Sequence, residues 1–131
     1  MYDFRTNEVG ETAPEEIAKL LRSIGASGRL LGFDYTVYIG HSITNRKSGR
    51  HQMTKSIYPS TASYFNVSAS SVERAVRTLI ASCWDRYDHS DLNRVAGIEL
   101  EDMPTNSEFI DILVAYLSYG AYDRTDNKIR I

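Results

Sequence analysis

The sequence lacks the features that mark secreted, membrane-bound and metal-binding proteins. Its 131 residues include one cysteine, Cys83, which excludes an internal disulfide and fits a reducing compartment. No apolar run approaches the roughly 18 residues of a membrane span, and the N-terminus has no signal-peptide hydrophobic stretch. The three histidines share no metal-ligand spacing with Cys83. These absences predict a cytoplasmic protein that has no membrane partner.

Motifs of catalysis are also missing. Serine, histidine and aspartate occur, but no nucleophile motif, glycine-rich phosphate loop or metal cluster accompanies them. The acidic run at residues 99–102 is more typical of a solvated loop than of a metal site. We therefore predict that the chain is not an enzyme and has no cofactor.

The composition is that of one globular domain, but the charge is unevenly distributed. Apolar residues make up 42% and charged residues 24%, and the net charge is −2. Residues 42–86 contain seven Lys or Arg and two acids, a net charge of +5, whereas residues 87–119 have a net charge of −6. A basic centre beside an acidic region is typical of a DNA-binding element attached to a different surface.

Helix signals begin after residues 1–11, which we expect to form a flexible lead. Thr12, Pro14 and Glu15 predict a helix start with Thr12 as the cap, and Gly25 predicts its end. Residues 33–39 instead alternate between apolar and polar, which taken alone is a strand pattern. A helical stripe fits this segment less well. Residues 45–51 are predicted to form a basic loop.

The central basic segment has the pattern of a helix-turn-helix. Pro59 predicts the start of a short helix, and Asn66 with Val67 predicts the turn. Ser68 or Ser70 is expected to cap the next helix, with Ser70 and Glu73 forming a capping box. The apolar positions of this helix share one face: Val72, Val76, Leu79 and Cys83, continuing to Trp84. Five positions fall on the opposite face: Ser70, Arg74, Arg77, Thr78 and Ala81.

Two further helices are predicted in the acidic region. Residues 90–96 form a short helix that ends at Gly97. Thr105 and Glu108 form a capping box that starts the last helix, and Gly120 is its predicted end. The domain is thus expected to span residues 12–120, with a polar tail at 121–131. Short helices with short connections predict an all-α fold.

Several short sequence strings of this chain occur in the same order and with the same spacing in a known family. They are Gly32-Phe33-Asp34-Tyr35, Thr54-Lys55, Tyr58-Pro59, Phe65-Asn66, Val72-Glu73-Arg74-Ala75, Trp84 and the string from Pro104 to Ile110. From about Ile17 to Leu117 the chain resembles the C-terminal effector domain of the sporulation initiation response regulators, the stage zero sporulation protein A family. The resemblance implies six helices around a helix-turn-helix, in the winged-helix-like effector class. It also implies that residues 30–44 are helical.

The resemblance implies a sequence-specific regulator of transcription that binds double-stranded DNA through the major groove. Family members bind short promoter boxes as a tandem pair, which implies a homodimer on DNA, and they contact the sigma subunit of RNA polymerase. Residues 90–97, in the region of that contact, differ from the family's. The family's receiver domain has no counterpart here, because only about fifteen residues precede the first helix. We therefore expect no activation by phosphorylation within this chain.

The residues that match the family's recognition positions are Glu73, Arg74 and Arg77, with Lys55 before them. A guanidinium at Arg74 suits a guanine edge and a carboxylate at Glu73 suits a cytosine amino group. Arg77 and Lys55 suit phosphates. With the helix N-terminus and its flank included, the candidate DNA-binding residues are Lys55, Ser68, Ser70, Ser71, Glu73, Arg74, Arg77 and Thr78.

Two positions depart from the family and leave an alternative open. Ser71 replaces an arginine that recognises a base, and Thr78 replaces a histidine. A second hypothesis is therefore a protein-interaction module that keeps the fold, has lost base recognition, and modulates a relative or RNA polymerase. Ser71 and the negative net charge favour this alternative, whereas the four matching recognition positions favour DNA binding.

Overall fold

The structure, a computed structural model, describes residues 12–44, 50–86 and 88–126, and for 50–55 and 119–126 it describes the backbone alone. These residues form six helices and no strand. The helices are α1 Pro14–Ser23, α2 Leu31–Thr44, α3 Arg50–Phe65, α4 Ala69–Trp84, α5 Ser90–Ala96 and α6 Asn106–Asp126. The all-α prediction with six helices is confirmed.

Helix α1 begins with Pro14, whose missing amide hydrogen is not needed in the first turn. Ala13 is the N-cap residue and makes no side-chain cap hydrogen bond, so the prediction of Thr12 as the cap is wrong. The predicted end is confirmed. Gly25 has a left-handed φ of +100°, and its amide donates to the Arg22 carbonyl at 3.1 Å.

Helix α2 is the central helix of the domain, in contact with α1, α3, α4 and α6. Phe33, Val37 and Ile39 are at most 1% exposed, and Tyr35 and Thr36 are also buried. A helix that is surrounded by other helices needs no polar stripe, so its helical period is hard to see in the sequence. The strand pattern at residues 33–39 is therefore misleading, and the helix implied by the family resemblance is confirmed.

Helices α2 and α4 cross at Gly32. A β-carbon on Gly32 would overlap the carbonyl oxygen of Ala75 and would lie 2.8 Å from the carbonyl carbon. Only glycine lets the two backbones approach this closely. The crossing fixes α4 against the central helix.

Two predicted helix boundaries are wrong. Helix α3 begins at Arg50 rather than at Pro59, so the last two residues of the predicted basic loop are helical, while residues 45–49 lie outside the described part of the chain. Helix α6 continues through Gly120 to Asp126. A glycine inside a helix costs only about 1 kcal/mol relative to alanine, so a single glycine does not have to end a long helix. The predicted lead at 1–11 and residues 127–131 of the predicted tail also lie outside the described residues.

The end of α5 and the start of α6 agree with the sequence prediction. Gly97 ends α5 with a left-handed φ of +80°. At the start of α6, the Glu108 amide donates to the Thr105 hydroxyl at 3.1 Å, and the Thr105 amide donates to the Glu108 carboxylate at 2.9 Å. This reciprocal pair is the predicted capping box. No helix in the described ranges has the length and apolar character needed to cross a membrane.

The junction between α4 and α5 is built on an aromatic stack. Trp84, the last residue of α4, lies against the imidazole of His89 with ring centroids 3.6 Å apart and planes tilted by 11°. The neighbouring Cys83 is 1% exposed, and burial raises the pKa of its thiol to about 11. Cys83 is therefore a protonated core residue at neutral pH.

Candidate nucleic-acid interface

Three residues, Asn66, Val67 and Ser68, connect α3 to α4. Asn66 adopts a left-handed conformation with φ of 61°, which asparagine tolerates better than most residues. The Val67 amide donates to the Ala62 carbonyl at 2.9 Å and closes the end of α3. The predicted turn is confirmed, and it gives α3 and α4 the connection of a helix-turn-helix.

A network of serine hydroxyls begins α4. The Ser68 hydroxyl oxygen accepts the Ser71 amide hydrogen at 3.1 Å, and the same hydroxyl donates to Ser71 Oγ at 2.8 Å. Ser70 Oγ lies 3.3 Å from Ser68 Oγ. Ser68 is therefore the N-cap residue. The predicted capping box of Ser70 and Glu73 is wrong, because α4 already begins at Ala69 and Ser70 therefore lies inside its first turn.

The two sides of α4 are sharply different. Four residues of the inner face are fully buried: Val72, Val76, Leu79 and Ile80. The exposed positions of the outer face are Ser70, Glu73, Arg74, Arg77 and Thr78. Ala81 is half-buried. The predicted division of the helix is confirmed at every position except Ala81, whereas the contacts of these side chains with DNA stay a prediction.

The two arginines of the outer face are not neutralised by the domain. Arg74 and Arg77 form no ion pair with any residue that the structure describes. The Thr78 hydroxyl donates to the Arg74 carbonyl at 3.1 Å, so its interaction is with the backbone of its own helix. Because guanidinium groups can donate several hydrogen bonds, this face is suited to an acceptor-rich partner.

Two other predicted site residues differ from that pattern. Ser71 is half-buried and its hydroxyl belongs to the cap network, so it lies on the flank of α4 rather than at the centre of the outer face. Lys55 lies within α3, one turn before Pro59, and its side chain is outside the described part of the structure. The structure therefore brings seven of the eight candidate residues onto one helix and its N-cap, without testing Lys55.

A contact between α6 and α4 was not predicted from the sequence. Asn106, the first residue of α6, is 8% exposed, and its Nδ2 donates to the Glu73 carbonyl oxygen at 3.0 Å. The Tyr58 hydroxyl, from α3, hydrogen-bonds with the Asn106 side chain. Burial raises the pKa of Tyr58, and the charge of Glu73 adds to that rise, while the Asn106 bond and Arg77 oppose it. The family string at residues 104–110 was the only sequence signal for this junction.

Apart from Glu73, the acidic side chains near this region lie on other elements. Asp91 is on α5, Glu101 and Asp102 are in the connection to α6, and Glu108 is in the first turn of α6, all of them exposed or partly exposed. Arg94 on α5 lies 3.8 Å from Asp91. No group of three or more His, Cys, Asp or Glu suited to a metal ion occurs in the described ranges. Helix α4 thus presents two exposed arginines that form no ion pair with the described acidic residues.

One family model matches this chain. Its description is Sporulation initiation factor Spo0A C terminal, and it matches residues 17–117. The matched range extends from the first turn of α1 into α6, and it contains the turn, the whole of α4 and Asn106.

Proposed function

The chain belongs to the Spo0A C-terminal family, a family of DNA-binding domains that regulate transcription, and we propose that it places α4 in the major groove of double-stranded DNA. The observation that carries this proposal is the outer face of α4. Arg74 and Arg77 are exposed there without ionic partners, while the inner face of the same helix is fully buried. A rigidly held helix with unpaired guanidinium groups suits groove binding.

Each side chain has a role that its chemistry supports. Arg74, near the middle of the outer face, donates two hydrogen bonds to a guanine edge, and Glu73 accepts one from a cytosine amino group. Arg77 and Lys55 contact phosphates and fix the register. Ser68 and Ser70 lie at the N-terminus of α4, where amides and hydroxyls suit a phosphate. Ser71 and Thr78 line the flanks of the same contact.

The assembly on DNA follows the family pattern in this proposal. Two copies bind tandem boxes as a homodimer. The protein would act at the chromosome, in the cytoplasm. The α5 region contacts the sigma subunit of RNA polymerase, with a different set of side chains from the family's. Gel-shift titration on one box and on two adjacent boxes tests the tandem arrangement, because cooperative binding requires the second box.

Replacement of Arg74 tests base recognition. Arg74→Ala should reduce the discrimination between the family box and a scrambled duplex by about 1–3 kcal/mol, the value of one bidentate base contact. Arg94→Ala is the matched control, because it removes an exposed helix arginine from α5 instead. Fluorescence anisotropy with both duplexes measures the difference. Equal binding of both duplexes by wild type and by Arg74→Ala would refute base recognition by α4.

Replacement of Lys55 tests a phosphate contact. Lys55→Ala should weaken binding to both duplexes equally and should lower the slope of log K against log salt by about one. The measurement is a salt titration of both complexes. An unchanged salt slope would remove Lys55 from the interface and leave the role of Arg74 intact.

A second candidate function is supported by Ser71. Where the family has an arginine, this chain has a half-buried hydroxyl that is engaged in the helix cap. A protein-interaction module with the same fold would bind every duplex weakly, equally and with strong salt sensitivity. Co-purification of RNA polymerase or of a related regulator, together with such sequence-independent binding, would favour this candidate.

A further inference from the structure

The junction at Asn106 joins the three helices on which DNA recognition would depend. Its amide nitrogen donates to the Glu73 carbonyl of α4, and its side chain also meets the Tyr58 hydroxyl of α3. Asn106 itself is held in place at the start of α6 by the capping box of Thr105 and Glu108 and by the fully buried Phe109. A firmly anchored amide therefore contacts the outer turn of α4.

This hydrogen bond is not needed to satisfy the backbone of α4. Within the helix, the Glu73 carbonyl already accepts from the amide four residues later, that of Arg77. Asn106 Oδ1, moreover, is buried and has no hydrogen-bond partner among the described residues. A buried polar atom without a partner costs stability, so such a group calls for a reason other than stability.

The position of the bond supplies that reason. Glu73 and Arg77 are successive residues on one helical face, and Arg74 follows Glu73 directly. A bidentate contact to a base tolerates only about 0.5 Å and 10–20° of misplacement. Because an arginine side chain extends far from the helix axis, a small rotation of α4 would move the guanidinium of Arg74 by more than this tolerance.

Resting on the proposed function, we propose that Asn106 is a positioning residue for base recognition. It fixes the rotation and depth of the Glu73–Arg77 turn of α4 relative to α3 and α6. It touches no base itself and acts through the side chains of that turn. The Tyr58 hydroxyl of α3 also interacts with the Asn106 side chain, and this interaction partly offsets the rise that burial causes in the pKa of Tyr58.

The first test is Asn106→Leu, which keeps the branched shape but removes both the donor and the unpaired acceptor. The Tm should change little, since the Glu73 carbonyl keeps its helical partner and removal of the unpaired Oδ1 offsets the partner that the Tyr58 hydroxyl loses. Discrimination between the family box and a scrambled duplex should fall about three- to tenfold, the range that one lost hydrogen bond produces. Affinity for the scrambled duplex should not change. Ser107→Ala, at the exposed neighbouring position, is the matched control.

Two further variants keep the proposal testable if Asn106→Leu does not fold. Tyr58→Phe removes only the hydroxyl that supports the amide, and it should produce a smaller loss of discrimination in the same direction. Asn106→Asp keeps the shape but places a carboxylate oxygen against the Glu73 carbonyl. It should lower both the Tm and the discrimination.

The mechanism is tested by combining Asn106→Leu with Arg74→Ala. If Asn106 acts through the base contact of Arg74, Asn106→Leu should change discrimination little in a protein that already carries Arg74→Ala. Full discrimination in Asn106→Leu, or an equal loss of affinity for both duplexes with a lowered Tm, would overturn the proposal and leave a structural role. If Arg74→Ala loses discrimination and Asn106→Leu does not, only the role of Asn106 fails. If wild type prefers no duplex, the proposed function fails with it.

Discussion

Helices α2 and α4 meet at the contact between Gly32 and Ala75, but they use their surfaces in different ways. Almost every side of α2 is buried against another helix, and its exposed exceptions, such as Leu31 at 72%, are few. Helix α4 buries one face and exposes five polar or charged side chains on the other. Of these two helices, α4 is therefore the one that should tolerate substitutions, on the outer face where the proposed DNA contacts lie.

The contact between the two helices should be the most sensitive point. Gly32→Ala places a methyl group against the Ala75 carbonyl, and the helices must separate to accept it. We expect a loss of roughly 3 kcal/mol in the free energy of unfolding, the upper range for overpacking. Urea unfolding followed by circular dichroism measures it.

Gly40→Ala is the control for that experiment. It introduces the same methyl group into the same helix, but its nearest neighbours are side-chain atoms of Ile17 at 3.4 Å. The gain in helix propensity, up to about 1 kcal/mol, should offset any crowding. Equal effects of the two substitutions would show that the close approach at Gly32 does not determine how α4 is held.

On the flank of α4, Ser71→Arg should increase affinity for the family box. The new guanidinium restores the residue type that the family has at this position, worth about 1–3 kcal/mol if it reaches a guanine. The Ser68 cap should survive, because it accepts the backbone amide of residue 71. Binding to the family box and to a scrambled duplex at two salt concentrations separates a base contact from added charge. A gain that is equal for both duplexes would mean added charge alone.

Removal of the cap should have a smaller effect, confined to the start of α4. Ser68→Ala leaves the Ser71 amide without its acceptor and should cost about 1 kcal/mol of stability. Ser70→Ala, which removes an exposed hydroxyl that does not cap the helix, should cost less than half of that. Thermal unfolding of the two variants provides the measurement. The assignment of the N-cap would be wrong if Ser70→Ala were the more damaging change.

The smallest expected effect is a gain in stability within α2. Thr36 is 1% exposed and its hydroxyl has no partner among the described residues, so Thr36→Val should stabilise the domain by about 0.5–1 kcal/mol. Thr61 is equally buried, but its hydroxyl donates to the Ile57 carbonyl at 2.6 Å. Thr61→Val should therefore give no gain. Chemical denaturation of both variants would show whether an unpaired hydroxyl is the cause.

The same contrast explains how much of the fold could be predicted from the sequence. Helix α4 has an apolar stripe, a cap and a polar face, and all three are visible as local patterns. Helix α2 has no polar stripe because other helices surround it, so the alternation at residues 33–39 is locally that of a strand, and only the family resemblance implies a helix there. Pro59 suggested a helix start because proline favours first turns, but α3 contains it in its interior.

Only the part of the candidate site that follows from local sequence patterns could be predicted. The exposure of Arg74 and Arg77 follows from the helical period alone. The contact between Asn106 and Glu73 joins residues 33 positions apart, and no local pattern reports it. The serine cap was narrowed to two residues by sequence, and only the backbone geometry at Ser68 distinguishes them.

The stack at the end of α4 also provides an intrinsic fluorescence probe of this helix. Trp84 is the only tryptophan in the chain, and it lies face to face with His89 where α4 ends. His89 Nδ1 is 3.2 Å from the Trp84 carbonyl oxygen, which holds the imidazole over the indole. The emission of this one fluorophore therefore reports the end of the proposed recognition helix directly, and its response to added duplex would follow that helix without an attached dye.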